Sequence, residues 1–125
     1  MDMGQGNGQV LQKTCNVPQR TEEALKRKVT VLVVTYNAQK LLGELAETLN
    51  CLEPNCSVVI SDNGSSDGTP ETIRRLVPGA EVIENPVNGG FGYGNNRGLE
   101  RVETPFVLFL NSDAKIDVEG VQKLV

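Results

Sequence analysis

The stretch "VTVLVVT" at residues 29–35 decides the fold. Its apolar and β-branched residues run on with almost no polar alternation, the pattern of a strand buried on both faces rather than one half exposed to water. Downstream, "QKLLGELAETLNCL" sets Leu41, Leu45, Leu49 and Leu52 at helical spacing, with Leu42 widening the stripe. "SVVISD" (57–62) reads as a second strand, and "TPETIRRLV" as a helix with Thr69 at the cap and Pro70 at the first position. "AEVIEN" (80–85) is a third strand, "NNRGLERV" looks helical, and "PFVLFLN" (105–111) is a fourth strand introduced by Pro105. Residues 117–125 open a further helix. Strands alternating with helices at this rhythm imply right-handed crossovers and an α/β fold, a mainly parallel sheet with helices on both faces.

Upstream, residues 1–20 are rich in Gly, Gln and Asn without apolar periodicity. Residues 1–28 are expected to form a flexible leader, with a short helix at 21–28 capped by Thr21. A chain of 125 residues with 38% apolar content fits one domain with a modest core, residues 29–125. The net charge of −4 and the lack of a basic block argue against nucleic acid as a partner. "VLVV" and "FVLFL" are far too short to span a membrane, and the N-terminus lacks the regions of a signal peptide, which gives a cytoplasmic reading. Cys15, Cys51 and Cys56 stand at no metal-ligand spacing and are read as reduced packing residues. The absence of histidine removes Ser–His and Cys–His catalysis and most zinc chemistry.

Ligands of parallel α/β sheets sit at the carboxyl ends of the strands. Here those ends carry "TYN", "SDNGSSDGT", "ENPVNGGFGYGNN" and "LNSDA", polar and glycine-rich segments that the topology brings to one edge. In "SDNGSSDGT" an ordinary strand-to-helix turn, capped by Asp67 or Thr69, accounts for the glycines and Thr69. It does not account for a carboxylate at Asp62, which suits a ring N–H of uracil, thymine or guanine. "NGGFGYGNNRG" fails the G-x-G-x-x-G dinucleotide fingerprint, since the third glycine would fall at Asn95 or Arg97, and it follows the third strand rather than the first. Its glycines permit close helix-to-sheet packing, with Phe91 and Leu99 expected as core contacts. In "FVLFLNSDA", Asp113 is a hard oxygen donor suited to Mg²⁺ or Mn²⁺ bound with a ligand's phosphates, although an Asp after a strand also serves as a helix cap. Asp117 is read as such a cap.

Together, "VLVVTYN", "ISDNGSSDGT", "NGGFGYGNNRGL" and "FLNSDA" resemble, in order and spacing, the nucleotide-sugar-binding half of a family 2 glycosyltransferase, a Rossmann-like half of the GT-A fold. The resemblance covers residues 29–125 and is greatest to bacterial transferases of rhamnose or related sugars. It implies that Thr35, Tyr36 and Asn37 line the nucleotide pocket, that Asp62 contacts the base, and that Asn63 and Gly64 shape that wall. Asn88, Gly89 and Gly90 would approach the nucleotide, with Asn95 and Asn96 near the donor. Asp113 would take the last position of the D-x-D metal motif, whose first carboxylate is replaced by Asn111. Where many members have Ala-Arg-Asn, this chain has Gly94, Asn95 and Asn96, so the arginine expected near the diphosphate is absent and Arg97 lies two positions away.

The implied activity is inverting transfer of a sugar from a nucleoside-diphosphate sugar of UDP, dTDP or GDP type to a saccharide or lipid-linked acceptor, in cell-surface polysaccharide synthesis. The resemblance also implies Mg²⁺ or Mn²⁺ as cofactor and work in the cytoplasm or at the inner face of the membrane. It places the general base in an acceptor half beyond Val125, so the chain reads as a donor half cut short after the metal motif. The alternative is a non-catalytic nucleotide-binding or assembly module whose partner supplies the acceptor half. An uncovered sheet edge there would favour self-association. A nucleotidyltransferase would want a glycine-rich Arg/Lys loop after the first strand, and "TYNAQK" is not one.

Overall fold

The computed structural model describes residues 28–53 and 55–124. The expected leader and Thr21 cap, with Cys15, lie outside them. β1 (Val29–Thr35) leads through a short 3-10 turn (Gln39–Leu41) into α1 (Leu42–Leu52). β2 (Ser57–Asp62), α2 (Thr69–Leu76), β3 (Glu81–Glu84), α3 (Phe91–Leu99), β4 (Phe106–Phe109) and α4 (Val118–Leu124) follow. The four strands form one sheet in the order β3-β2-β1-β4, every pair parallel. The continuous apolar run therefore becomes an interior strand, as its lack of alternation predicts.

Register places the strand ends. Thr35 stands beside Asp62, and Asp62 beside Glu84, so β1, β2 and β3 finish level with one another. β4 pairs only with the first part of β1, ending with Phe109 beside Leu32.

The two faces of the sheet are packed by different means. On one, Val29, Val31, Val33, Val58 and Ile60 meet Leu42, Leu45, Leu49 and Leu52 of α1, Ile73 of α2, and Val118 and Val121 of α4. Leu42 holds the place expected of Leu41, which lies in the 3-10 turn and is exposed, because that turn shifts the phase of the stripe by one residue. On the other face, Leu32, Val59 and Ile83 lie under α3. A Cβ on Gly94 would fall 2.7 Å from Val34 Cγ1, and one on Gly98 2.3 Å from Leu32 Cδ1. These glycines, one helical turn apart, let the α3 backbone rest directly on the sheet. The price in helix propensity is about 1 kcal/mol for each interior glycine relative to alanine.

That close approach reverses one expectation. Phe91 and Leu99 are not core contacts: they remain 59% and 38% exposed, because the face of α3 turned to the sheet is the glycine face. The helix also starts earlier than "NNRGLERV", at Phe91 inside the glycine-rich stretch. A further correction concerns α2. Its cap position is Gly68 without a side-chain cap bond, and Asp67 Oδ1 accepts the Thr69 N–H instead (3.1 Å). Asp117 does cap α4, its Oδ1 accepting the Gly120 N–H at 2.8 Å. Cys56 is buried and outside any disulfide, whereas Cys51 is disulfide-bonded, which corrects the reading of Cys51 as reduced.

Candidate functional site

The carboxyl edge is built around Asp62, the last residue of β2, whose 0% exposure puts its carboxylate wholly inside the protein. Oδ1 accepts the hydroxyls of Thr35 and Ser65, each at 2.7 Å, and Oδ2 accepts the Ser65 N–H at 2.8 Å. A buried carboxyl group needs such partners, and these come from the end of β1 and the loop after β2. The loops after β1 and β2 are thereby joined. Asn37, left-handed at φ 47°, extends the seam: its N–H donates to Ser65 Oγ (2.7 Å) and its Oδ1 accepts the Ser66 N–H (2.8 Å). Asparagine tolerates this conformation better than most residues.

Asp67 and Thr69 close the outer part of the seam. The Thr69 hydroxyl donates to Asp67 Oδ1 and accepts the Ala38 N–H (3.0 Å), while Asp67 Oδ2 accepts the Gln39 N–H (3.2 Å). The Thr69 hydroxyl, and then the backbone N–H groups of Gln39 and Thr69, hold the Asp67 carboxyl below its ordinary range against a smaller opposing effect of desolvation.

A second cluster ties the loop after β3 to the same edge. Asn63 Nδ2 donates to the Gly90 carbonyl (2.9 Å), and Asn63 Oδ1 accepts from Asn85 Nδ2 (2.8 Å). Asn85 Nδ2 also donates to Ser61 Oγ (3.0 Å), and Asn85 Oδ1 accepts Arg97 Nε–H (3.3 Å). Gly90, at φ 96° and ψ 175°, occupies backbone space that side chains exclude, and its N–H donates to Asn88 Oδ1 at 3.0 Å. The turn into α3 thus exposes bare backbone at the strand ends.

The residues expected at a ligand site fall into two groups. Thr35, Asn37, Asp62, Asn63, Asn88 and Gly90 are joined by these bonds, with Gly64 and Gly89 between them in the loops. Tyr36, next to the seam, is half exposed. Asn95 is half-buried and Asn96 exposed on α3. Asn111 and Asp113 follow β4 on the other side of β1, and both are exposed. Among the described residues no trio of His, Cys, Asp or Glu side chains gathers into a metal cage. A single carboxylate at Asp113 with a neutral amide at Asn111 suits Mg²⁺ or Mn²⁺ only where a ligand's phosphates supply further oxygens.

Sequence reasoning missed Ser65 and Asn85. Ser65 sits in a stretch already explained as a turn, and the partners of Asn85 lie 22 and 12 residues away, beyond any local pattern. Arg97 does not stand free as a stand-in for the expected arginine, since its Nε and Nη1 are turned to Asn85 and Glu100. At the opposite edge a cavity of about 710 Å³ is lined by Thr30, Ser57, Glu81, Glu100, Arg101 and Glu103 among others. Among the described residues that line it, Arg101 is the one base and pairs with Glu81, so these residues present an acidic surface unsuited to a diphosphate.

The sequence matches Glycosyl transferase family 2 over residues 30–125. Poly(ribitol-phosphate) beta-N-acetylglucosaminyltransferase TarS of Staphylococcus aureus is 34% identical over an alignment of 101 residues that covers 76% of this chain and 18% of that protein. The crystal structure of S. aureus TarS 1-349 in complex with UDP superposes with a TM-score of 0.65 at 32% identity, covering 78% of this chain and 30% of the other. The mannosyltransferase PcManGT from Pyrobaculum calidifontis, in complex with GDP-Man and Mn²⁺, shares the fold at a TM-score of 0.64 and 24% identity, covering 86% of this chain and 34% of its own. The chain spans 40% of one curated relative and 13% of another. With the family matched across nearly all of the described residues and the same α/β fold in its solved relatives, the chain belongs to glycosyl transferase family 2.

Proposed function

We propose that this chain supplies the nucleotide-sugar-binding half of a glycosyltransferase, which moves a sugar with inversion from a nucleoside diphosphate to an acceptor hydroxyl in cell-surface polysaccharide synthesis. The observation that carries this reading is the joining of the three loops after β1, β2 and β3 by Asp62 and Asn63, beside the exposed Tyr36 and the bare Gly89–Gly90 turn. Such an edge is rigid before any ligand arrives, as binding with little ordering cost requires.

In this reading Thr35, Tyr36 and Asn37 form the nucleotide wall, and the half-exposed Tyr36 ring offers a surface to a base. Asp62 has no exposed surface, so contact between its carboxylate and a ring N–H requires residues 63–66 to shift; without that shift it acts by holding Thr35 and Ser65. Gly64 shapes the wall with Asn63, and Asn88, Gly89 and Gly90 let the diphosphate approach backbone. Asn95 and Asn96 face the donor sugar. Asp113, assisted by Asn111, holds Mg²⁺ or Mn²⁺ together with the diphosphate, and the metal when bound offsets negative charge on that group. As the acceptor oxygen attacks the anomeric carbon, its proton passes to a base in an acceptor half beyond Val125 and the bond to the diphosphate breaks. UDP, dTDP and GDP sugars are the donor class, and a saccharide or lipid-linked acceptor is met in the cytoplasm or at the inner face of the membrane. No helix among the described residues is long and apolar enough to cross a membrane.

Calorimetric titration with UDP, dTDP, GDP and ADP, with and without Mn²⁺, tests this on the wild type and on Asp113→Ala. Metal-dependent binding of UDP, dTDP or GDP in preference to ADP, weakened about tenfold or more in the variant, is expected. A chain that is folded by circular dichroism and binds none of the four overturns the reading.

A further inference from the structure

We infer that Asn85 is a positioning residue for the nucleotide site, holding the Gly89–Gly90 turn in place through a one-way relay of side-chain amides. The inference rests on the nucleotide-binding reading above and adds to it a residue that lies behind the site rather than in it. Asn85 directly follows the last residue of β3 and is 3% exposed. Its backbone N–H donates to the Asp62 carbonyl (2.8 Å), so its place on the edge is set by the strand beside it.

The direction of the relay follows from its two ends. Arg97 Nε–H can only donate, which fixes Asn85 Oδ1 toward Arg97 and Nδ2 toward Asn63 and Ser61. The Gly90 carbonyl can only accept, which fixes Asn63 Nδ2 toward the turn and Oδ1 toward Asn85. Both amides are thus oriented, and each supports the other. Gly90 is where the hold matters, because its φ of 96° and the open space around its α-carbon leave the turn little packing of its own. Its N–H is tied to Asn88 Oδ1 and its carbonyl to Asn63 Nδ2 and the Gly94 N–H. Removing Asn63 from that carbonyl frees the turn on the side facing β2.

Asn85→Asp separates this role from simple bracing. The carboxylate keeps and strengthens the contact with Arg97, but it has no N–H for Asn63 Oδ1. Asn63 then turns its Nδ2 to the carboxylate and its Oδ1 to the Gly90 carbonyl, which repels it. A brace would make Asn85→Asp resemble the wild type and Asn85→Ala the damaged form. The relay makes both variants weak binders, although the aspartate variant melts closer to the wild type than the alanine one does. Asn63→Asp is the second probe, since it still accepts from Asn85 and cannot donate to Gly90.

The experiment measures the Kd for UDP and GDP with Mn²⁺ by calorimetry, the thermal midpoint, and amide hydrogen exchange across residues 86–92, on the wild type, Asn85→Ala, Asn85→Asp and Asn63→Asp. The expected result is a loss of affinity of about tenfold or more in every variant, the equivalent of one hydrogen bond, with faster exchange confined to the turn. Wild-type affinity and exchange in a folded Asn85→Asp overturn the relay and leave the nucleotide reading standing. If Asn85→Asp does not fold, Asn63→Asp decides on the same terms. A wild-type chain that binds neither nucleotide overturns the nucleotide reading, and the relay is then a brace alone.

Discussion

On the β2 side of the carboxyl edge, Thr35, Asn37, Asp62, Asn63, Ser65 and Asn85 bond one another and hold three loops in a fixed arrangement. On the β4 side, Asn111 and Asp113 stand exposed beyond a strand of four residues whose Phe106 and Phe109 are themselves about half exposed. The contrast separates two kinds of polar residue. Those of the first side have partners within the chain, so removing one leaves another unsatisfied; those of the second are exposed, and under the proposed function removing one changes binding alone.

The largest expected effect comes from breaking the first side at its centre. Asp62→Ala deletes an acceptor of three hydrogen bonds in a fully buried site and strands the Thr35 and Ser65 hydroxyls. A loss of about 3 kcal/mol in urea unfolding is expected. Asp62→Asn retains an acceptor oxygen at the same place and should lose less. Equal stability of the wild type and Asp62→Ala would mean that the seam contributes nothing and that the contrast between the two sides fails.

A smaller effect tests whether α3 belongs to the rigid side. Gly94→Ala drives a methyl group to 2.7 Å from Val34 Cγ1 and 3.0 Å from Asn63 Nδ2, so overpacking of about 1–3 kcal/mol is expected. Gly92→Ala in the same helix meets nothing within 4 Å and should stabilise by up to about 1 kcal/mol through helix propensity. If both substitutions stabilise, α3 is not seated on the sheet by its glycines.

The sheet was legible because its signal is continuous: residues 29–35 and 57–62 are unbroken strand-forming runs, and the observed strands have those limits. β3 and β4 are shorter than the runs that announce them, Glu81–Glu84 within 80–85 and Phe106–Phe109 within 105–111: β3 stops level with the end of β2 at Asp62, whereas β4 leaves the sheet at Leu32, before β1 itself ends. Phe91 and Leu99 misled because hydrophobicity marks residues that can be buried, whereas the helix rotation is set by Gly94 and Gly98. The joined part of the site was legible at Asp62 and Asn63, whose glycine-rich setting marks a turn at a strand end. Asn85 was not, since an Asn before Pro86 reads as turn chemistry and its meaning depends on Arg97.

The second side is tested by binding rather than unfolding. Asp113→Ala should leave stability within about 0.5 kcal/mol of the wild type, as expected for an exposed residue. Its affinity for UDP or GDP should fall about tenfold in Mn²⁺ and hardly at all in EDTA, where the wild type is already weak. A variant that loses stability instead would move Asp113 to the structural side of the comparison.

The smallest effect lies at the rim of the seam, where Asp67 is exposed yet bonded to Thr69 and Gln39. Its carboxyl is held below the ordinary value of 3.8, so in acid the unfolded chain takes up this proton before the folded chain does. Stability contributed by Asp67 is therefore fully present above that ordinary value and is lost as the pH falls through the lower, folded one. Urea unfolding between about pH 5 and pH 3 should show a slightly steeper loss in the wild type than in Asp67→Asn, and added salt should shrink the difference because the group is exposed. Parallel curves would mean that the Thr69 and Gln39 bonds stabilise the charged and neutral forms alike. Asp67 would then be a loop residue outside the seam, and the rigid side of the edge would end at Ser65 and Ser66.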